Sequence, residues 1–159
     1  VDNRLVHGQI LEAWVPFIKA KCIMVVDDNS ASDFFCETVI RMAVPSDIEV
    51  NICSVEDFSA NYSYAHGSGK KTIVLFSSIA DAYRAYQNGF HFDKLNIGNI
   101  HHEEYKVCCA PSVFLCDAEI HDVMRLMEEN GIAVELRRVP REKAVNIRDA
   151  LKESCDVNK

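Results

Sequence analysis

Apolar residues recur along this chain in two rhythms, short continuous runs and stripes at helical spacing. Ile10, Leu11, Trp14, Val15 and Ile18 fall three or four residues apart, which predicts a helix from about Gly8 to Ala20. Pro16 lies inside that stretch. Lacking an N–H, it is expected to kink the helix or end it near Val15. Cys22 to Asp27 is an unbroken apolar run, the mark of a strand buried on both faces. Asn29 or Ser30 then supplies a cap for a helix expected to turn Phe34, Phe35, Val39, Ile40, Met42 and Ala43 toward the core. Val44 to Asp47 reads as a turn and Ile48 to Cys53 as a strand. A short helix starting at Ser54 or Asp57 is predicted to bury Val55 and Phe58.

The second half repeats the alternation. His66 to Lys71 is a loop by its glycines, and Thr72 to Phe76 is another buried strand. A helix follows Ser77-Ser78 and runs to the Asn88-Gly89 pair, a good C-terminal stop. Lys94 to Gly98 reads as a strand, and Tyr105 to Cys116 as an irregular loop holding one more. Asp117 to Asn130 is predicted helical with Ile120, Val123, Met124 and Met127 inward; Ile132 to Arg138 is a strand and Lys143 to Ser154 a terminal helix. Strands alternating with helices define one α/β domain over residues 1–159. The expected architecture is a three-layer α/β/α sandwich with a mainly parallel central sheet and room for an antiparallel edge strand. In such sheets ligands sit past the carboxyl ends of the strands, where the loop of His7, Asp27-Asp28, Ser77-Ser78 and Gly98-Asn99 should converge.

Composition narrows the partners. The net charge of −7 argues against nucleic acid or an anionic membrane surface as the main partner. No apolar run approaches the ~18 residues of a membrane span, so any transport step would belong to another chain. The seven cysteines are odd in number and include no Cys-x-x-Cys, which fits reduced, mostly buried thiols in a cytoplasmic protein.

The candidate chemistry lies at the start of the chain. Asp2, Asn3, Arg4, His7, Gly8 and Gln9 form a polar loop just ahead of the first predicted helix. Free N–H groups and the positive helix end there suit an anion, and the same field keeps an imidazole neutral and nucleophilic. Arg4 can fork onto two phosphoryl oxygens, Asp2 can hold the ring in one tautomer, and Gly8 lets backbone approach a bulky anion. Phosphoryl capture on a histidine is the chemistry this suggests. On the residues alone, the same Asp-x-Arg-x-x-His is also an ion pair beside a solvated histidine.

Arg4-Leu5-Val6-His7-Gly8-Gln9, preceded by Val1-Asp2-Asn3, resembles the phosphorylation-site signature of B components in the mannose/fructose/sorbose family of sugar phosphotransferase systems. Further matches run in order through Ile23–Asp28, Met42–Pro45, Ile73–Phe76, Leu95–Ile100 and Val134–Pro140. The resemblance implies that His7 carries the phosphoryl group on Nδ1, with Arg4 and Asp2 as its neighbours. It implies a phosphorylated A component as donor and a sugar held by membrane C and D components as acceptor, without metal or cofactor. In the family a short apolar strand precedes this signature, so the sheet is expected to have a first strand ahead of Val1. A regulatory module, phosphorylated on the same histidine but delivering nothing to a sugar, would use the same residues. The sequence also leaves room for a homo-oligomer.

Other clusters weigh less. His101, His102, Glu103 and Glu104, with Cys108, Cys109 and His121, fit no common zinc spacing, and a solvated loop explains them as well. The His101 to Lys106 loop is expected to tune partner choice, with Glu103 and Glu104 facing outward. Gly67-Ser68-Gly69-Lys70 lacks the spacing of a nucleotide-binding loop. Asp27-Asp28 could bind magnesium, but carboxylates after a strand more often cap a helix or face water. His66, His91 and His121 read as surface residues.

Overall fold

The structure is a computed structural model and describes residues 1–65, 69–101 and 107–157. Its centre is a parallel sheet of order β2-β1-β3, made of β1 (Cys22–Val26), β2 (Glu49–Cys53) and β3 (Thr72–Phe76). Pairing is in register along all three, with Val26 opposite both Cys53 and Phe76. Because successive side chains point to opposite faces, β1 and β3 feed two cores. Ile23, Val25, Ile73 and Leu75 pack with Leu5, Ile10 and Val15 on one side. Val26 and Phe76 pack with Val55, Phe58, Ile79 and Tyr83 on the other. Three layers therefore enclose this half of the sheet, as the unbroken apolar runs predict.

A second parallel pair, β4 (Lys94–Ile97) with β7 (Ala133–Leu136), extends the fold, and β8 (Val145–Asn146) joins β7 antiparallel at the edge. Leu95, Ile97, Val134 and Leu136 join the same core as α5 (Ile79–Gln87) and α6 (Asp117–Glu128). The opposite face of this pair is polar: Lys94 and Arg137 both hold Glu135, each at 2.7 Å. Val1 and Asp2 join the two halves, since Asp2 N–H donates to Phe76 O at 3.0 Å and Val1 O accepts from Gly98 N–H at 2.8 Å. In line with them, between β3 and β4, lies an apolar cleft of about 260 Å³. The expected strand ahead of Val1 concerns residues outside this sequence.

Several local expectations are corrected. The first helix does not stop near Val15. Gln9–Trp14 forms a π-helical turn that passes into α1 (Val15–Ile18), and Lys19 closes it at φ +59°. Pro16 sits in the first turn of that α segment, where its missing N–H costs nothing. The caps at the next helices are acids, not Asn29 or Ser30. Asp27 accepts from Ser30 N at the start of α2 (Asp28–Ser32), and Asp33 accepts from Phe35 N and Cys36 N at the start of α3 (Phe34–Ala43). The largest correction concerns α3, which buries none of its residues: Phe34 and Met42 stand more than four-fifths exposed. Only Ile40 packs against the core.

Further on, α4 (Val55–Ala65) buries Val55 and Phe58 as predicted. The stretch expected to be irregular is a hairpin of β5 (Val107–Ala110) and β6 (Val113–Leu115) around Pro111-Ser112. In α6 it is Val123 and Leu126 that are fully buried, with Ile120 and Met127 at the margin. The terminal helix α7 starts at Ile147, later than predicted, because Val145 and Asn146 first complete the sheet edge. Cys36 and Cys108 are exposed, so burial is not the rule for the thiols.

Candidate functional site

The loop from Asp2 to Gln9 is folded around the carboxylate of Asp2. That residue is only 4% exposed and pairs in parallel with Asn99 at the carboxyl ends of the strands. Its Oδ1 accepts Arg4 N–H at 3.1 Å and Arg4 Nε at 3.0 Å, while Oδ2 accepts Arg4 Nη2 at 2.9 Å. Oδ2 also meets His7 Nε2 at 2.8 Å. Burial disfavours the carboxylate, but the hydrogen bonds from Arg4 and His7 outweigh it and hold the acid below its ordinary range.

One further contact defines the roles of the ring nitrogens. The Gln9 backbone N–H points at His7 Nδ1, 3.3 Å away, and an N–H can only donate. Nδ1 is therefore the atom with a lone pair, and Nε2 carries the proton that Asp2 accepts. Gln9 acts twice, because its Oε1 also accepts from Arg4 Nη2 at 3.0 Å. Arg4 thus turns its Nε/Nη2 edge to Asp2 and Gln9, leaving Nη1 with no acceptor among the described residues. The side chain is 43% exposed, so that free end faces outward.

The backbone is bent to make this possible. Leu5 adopts φ +54°, a conformation that costs a side-chain-bearing residue about 1–2 kcal/mol. Its side chain is 8% exposed in the first core, and burial of that kind is worth about 1.5–3 kcal/mol, enough to hold the bend. The reversal brings Arg4 and His7 back onto Asp2. Gly8, by contrast, has an ordinary helical φ of −52°, and nothing lies within 4 Å of where a Cβ would stand. It keeps the surface beside His7 open, and backbone strain gives no reason for a glycine there.

Asn3 faces the neighbouring connection. It accepts from Asn99 Nδ2 at 2.6 Å and donates to His101 O at 3.0 Å, tying the loop to the chain after β4. Gly98 passes close by, with Asp2 Oδ2 only 3.5 Å from the position of an added Cβ. Of the groups expected to converge, Gly98 and Asn99 meet the His7 loop, while Asp27 and Ser77 pair with each other. Ser77 donates to Asp27 Oδ1 at 2.6 Å, and Asp28 binds Arg84 at 2.7 Å and Val55 N–H at 2.9 Å. Both acids have these structural duties, which is the capping alternative to a magnesium site. Residues 102–106, which carry the expected partner-tuning carboxylates, lie outside the described residues, as does His66.

Sequence reasoning did not find the strain at Leu5 or the amide of Gln9 on His7, since neither leaves a compositional trace. The pairing of Asn3 with Asn99 has its signal in the Gly98-Asn99 pair expected beside the His7 loop, although the partner residue is not legible there.

In α/β domains with a parallel sheet ligands sit past the carboxyl ends of the strands, and that is where this histidine stands. The family model described as the PTS system sorbose subfamily IIB component matches residues 1–159, so the chain belongs to that family, the B components of the mannose/fructose/sorbose phosphotransferase systems. It is 28% identical to the sorbose-specific EIIB component of Klebsiella pneumoniae over 98% of this chain and 94% of that protein. It is 26% identical to the fructose-specific EIIB component of Bacillus subtilis over 88% of this chain and 85% of that one. The crystal structure of the IIBSor domain of the Klebsiella pneumoniae sorbose permease superposes with a TM-score of 0.87 at 28% identity, covering 96% and 93% of the two chains. Members of this family are phosphotransferases of sugar transport. No described helix here is long and apolar enough to cross a membrane.

Proposed function

We propose that His7 is the phosphoryl carrier of this B component, taking the group from the phosphohistidine of an A component and passing it to a sugar held by membrane C and D components. The observation that carries the reading is the pair of contacts on the imidazole: Nε2 on Asp2 at 2.8 Å and the Gln9 amide at Nδ1. They leave Nδ1 as the nucleophile. Its lone pair attacks phosphorus in line, the donor's N–P bond breaks, and the electron pair returns to the donor imidazole. The proton stays on Nε2, hydrogen-bonded to Asp2, whose negative charge stabilises the ring while it bears the phosphoryl group. The outward Nη1 of Arg4 meets the phosphoryl oxygens, and positioning and electrostatics supply nearly all the acceleration. In the second half-reaction a sugar hydroxyl attacks phosphorus and gives its proton to water or to a base beside the sugar. The Nδ1–P bond breaks and its electron pair returns to His7, which leaves as the neutral imidazole with Nε2–H hydrogen-bonded to Asp2.

A donor must bring its own histidine against this loop. The surface beside it supports that approach: an open groove of about 550 Å³ runs from Gly8 and Gln9 past Pro16 and Phe17 to Val139–Arg141. Exposed apolar area next to charge is what a transient protein partner uses. The transfer needs neither metal nor cofactor, and the protein works in the cytoplasm beside its membrane partners.

The test is incubation with a phosphorylated A component and mapping of acid-labile phosphate. Wild type should carry one label, on Nδ1 of His7 by phosphorus NMR, and His7→Ala should carry none. Label that persists in His7→Ala defeats the assignment.

A further inference from the structure

We propose that the groove beside His7 orients the phosphoryl donor by two unpaired charges on its lining, Glu12 and Arg141. The donor sets a base against Glu12 and an acid against Arg141, and its own histidine then comes over Nδ1. The device rests on the carrier role of His7 and defines what a donor must present to reach it. The groove, of about 550 Å³, begins at Gly8 and Gln9, next to His7 in the chain. Glu12 lies on the π-helical turn and Arg141 on the connection after β7, so the two charges reach one lining from separate elements. Phe17, 63% exposed and set edge-on against Trp14, adds an apolar anchor to the same lining.

Both charges are free, and for an arginine that is the exception here. Every other arginine of the chain is held in an ion pair, from Arg4 with Asp2 to Arg148 with Glu128. Arg141 and Glu12 are exposed and have no ion pair or side-chain hydrogen bond among the described residues, with each other or with any neighbour. The net charge of −7 works against a donor that arrives with a phosphoryl dianion. A cation left free on the groove, besides the outward Nη1 of Arg4, offsets that repulsion where the donor lands. Glu12 has the complementary use. A donor turned the other way would bring acid to acid and base to base, and like charges across an interface reject that orientation. Rim charges of this kind act on encounter and register, and leave the chemical step to the loop of Asp2.

Initial rates of His7 labelling by a phosphorylated A component, over a range of donor concentrations and salt levels, read the result as KM against the saturated rate. Arg141→Glu should raise KM about tenfold at low ionic strength and leave the saturated rate within about twofold of wild type. Its ratio to wild type should shrink in 1 M salt, where the screening length is about 3 Å. Arg141→Lys should behave nearly as wild type. Glu12→Arg with Arg141→Glu keeps the net charge at −7 but reverses the pattern, so its KM should rise above that of Arg141→Glu alone. Neither residue has a partner to lose, so melting and circular dichroism should match wild type in each variant; Arg141→Gln serves if Arg141→Glu melts early. A double variant with wild-type KM overturns the proposal, because net charge alone would then govern the approach. So does Arg141→Glu with normal KM at low salt. A lowered saturated rate in Arg141→Glu overturns it as well, since Arg141 would then act on the phosphoryl group itself. Wild type that takes no label defeats the carrier role of His7 and this device with it, whereas the other adverse results, with wild type labelled, defeat the device alone.

Discussion

The loop from Asp2 to Gln9 and the helix α3 both reach the surface, yet they are finished in opposite ways. In the loop, polar groups satisfy one another: Asp2 takes four hydrogen bonds from Arg4 and His7, and Gln9 serves both Arg4 and the imidazole. In α3, apolar side chains have no cover, although the helix itself is well capped by Asp33. The first kind of surface is organised before anything binds, which suits a small anion that must be held at a set distance. The second presents area and little geometry, which suits another macromolecule.

This contrast implies different sensitivities. The largest effect should come from Asp2→Ala. It removes the acceptor on which Arg4 and His7 converge, and lost hydrogen bonds to a buried charged group cost about 1.5–3 kcal/mol each. Phosphoryl transfer should fall on the order of 10²-fold or more, and the melting temperature by several degrees, at ~2–4 °C per kcal/mol for a domain of this size. Unchanged transfer would mean that the loop does not need its centre.

Arg4→Lys should be next. Lysine keeps the charge but cannot hold Asp2 and Gln9 with one planar edge while pointing a second edge outward. Transfer should slow by about tenfold with a melting shift of no more than ~1 kcal/mol in equivalent stability. A large melting loss with normal transfer would make Arg4 a purely structural partner.

The third effect is on pH. Asp2 is held below its unfolded value, so its stabilisation is complete above the ordinary carboxylate range and drains away as pH falls through its lowered pKa. Wild type should therefore melt above Asp2→Asn at neutral pH, and the two curves should converge in acid. Curves that stay parallel across the acid range would remove Asp2 from the balance. The smallest effect on the chemistry should be Phe34→Ser on α3. At micromolar protein both melting and transfer should stay within about 0.5 kcal/mol of wild type, the range of ordinary surface changes. A sharp loss of either would show that α3 is not a separate surface.

The same two regions show how far the residues alone reach. The strands Cys22–Val26 and Thr72–Phe76 were legible because a strand buried on both faces must be apolar at every position, and such runs admit few other readings. The chemical identity of the loop was legible too, since a carboxylate, a guanidinium and an imidazole within six residues limit what chemistry is available. The stripe on α3 was equally plain, but its direction was read backwards. Periodicity reports that one face is apolar; only the neighbours in space decide whether protein or solvent meets it. The amide of Gln9 on Nδ1 was hidden for a related reason. It depends on a left-handed turn at Leu5, stabilised by that residue's place in a core assembled from β1, β3 and the first helix. The order of residues determined the strands, the helical stripes and the reactive groups, because these follow from local spacing and side-chain chemistry. Tertiary packing decided which stripe is covered and which nitrogen is free, because both depend on groups that the chain brings together from distant positions.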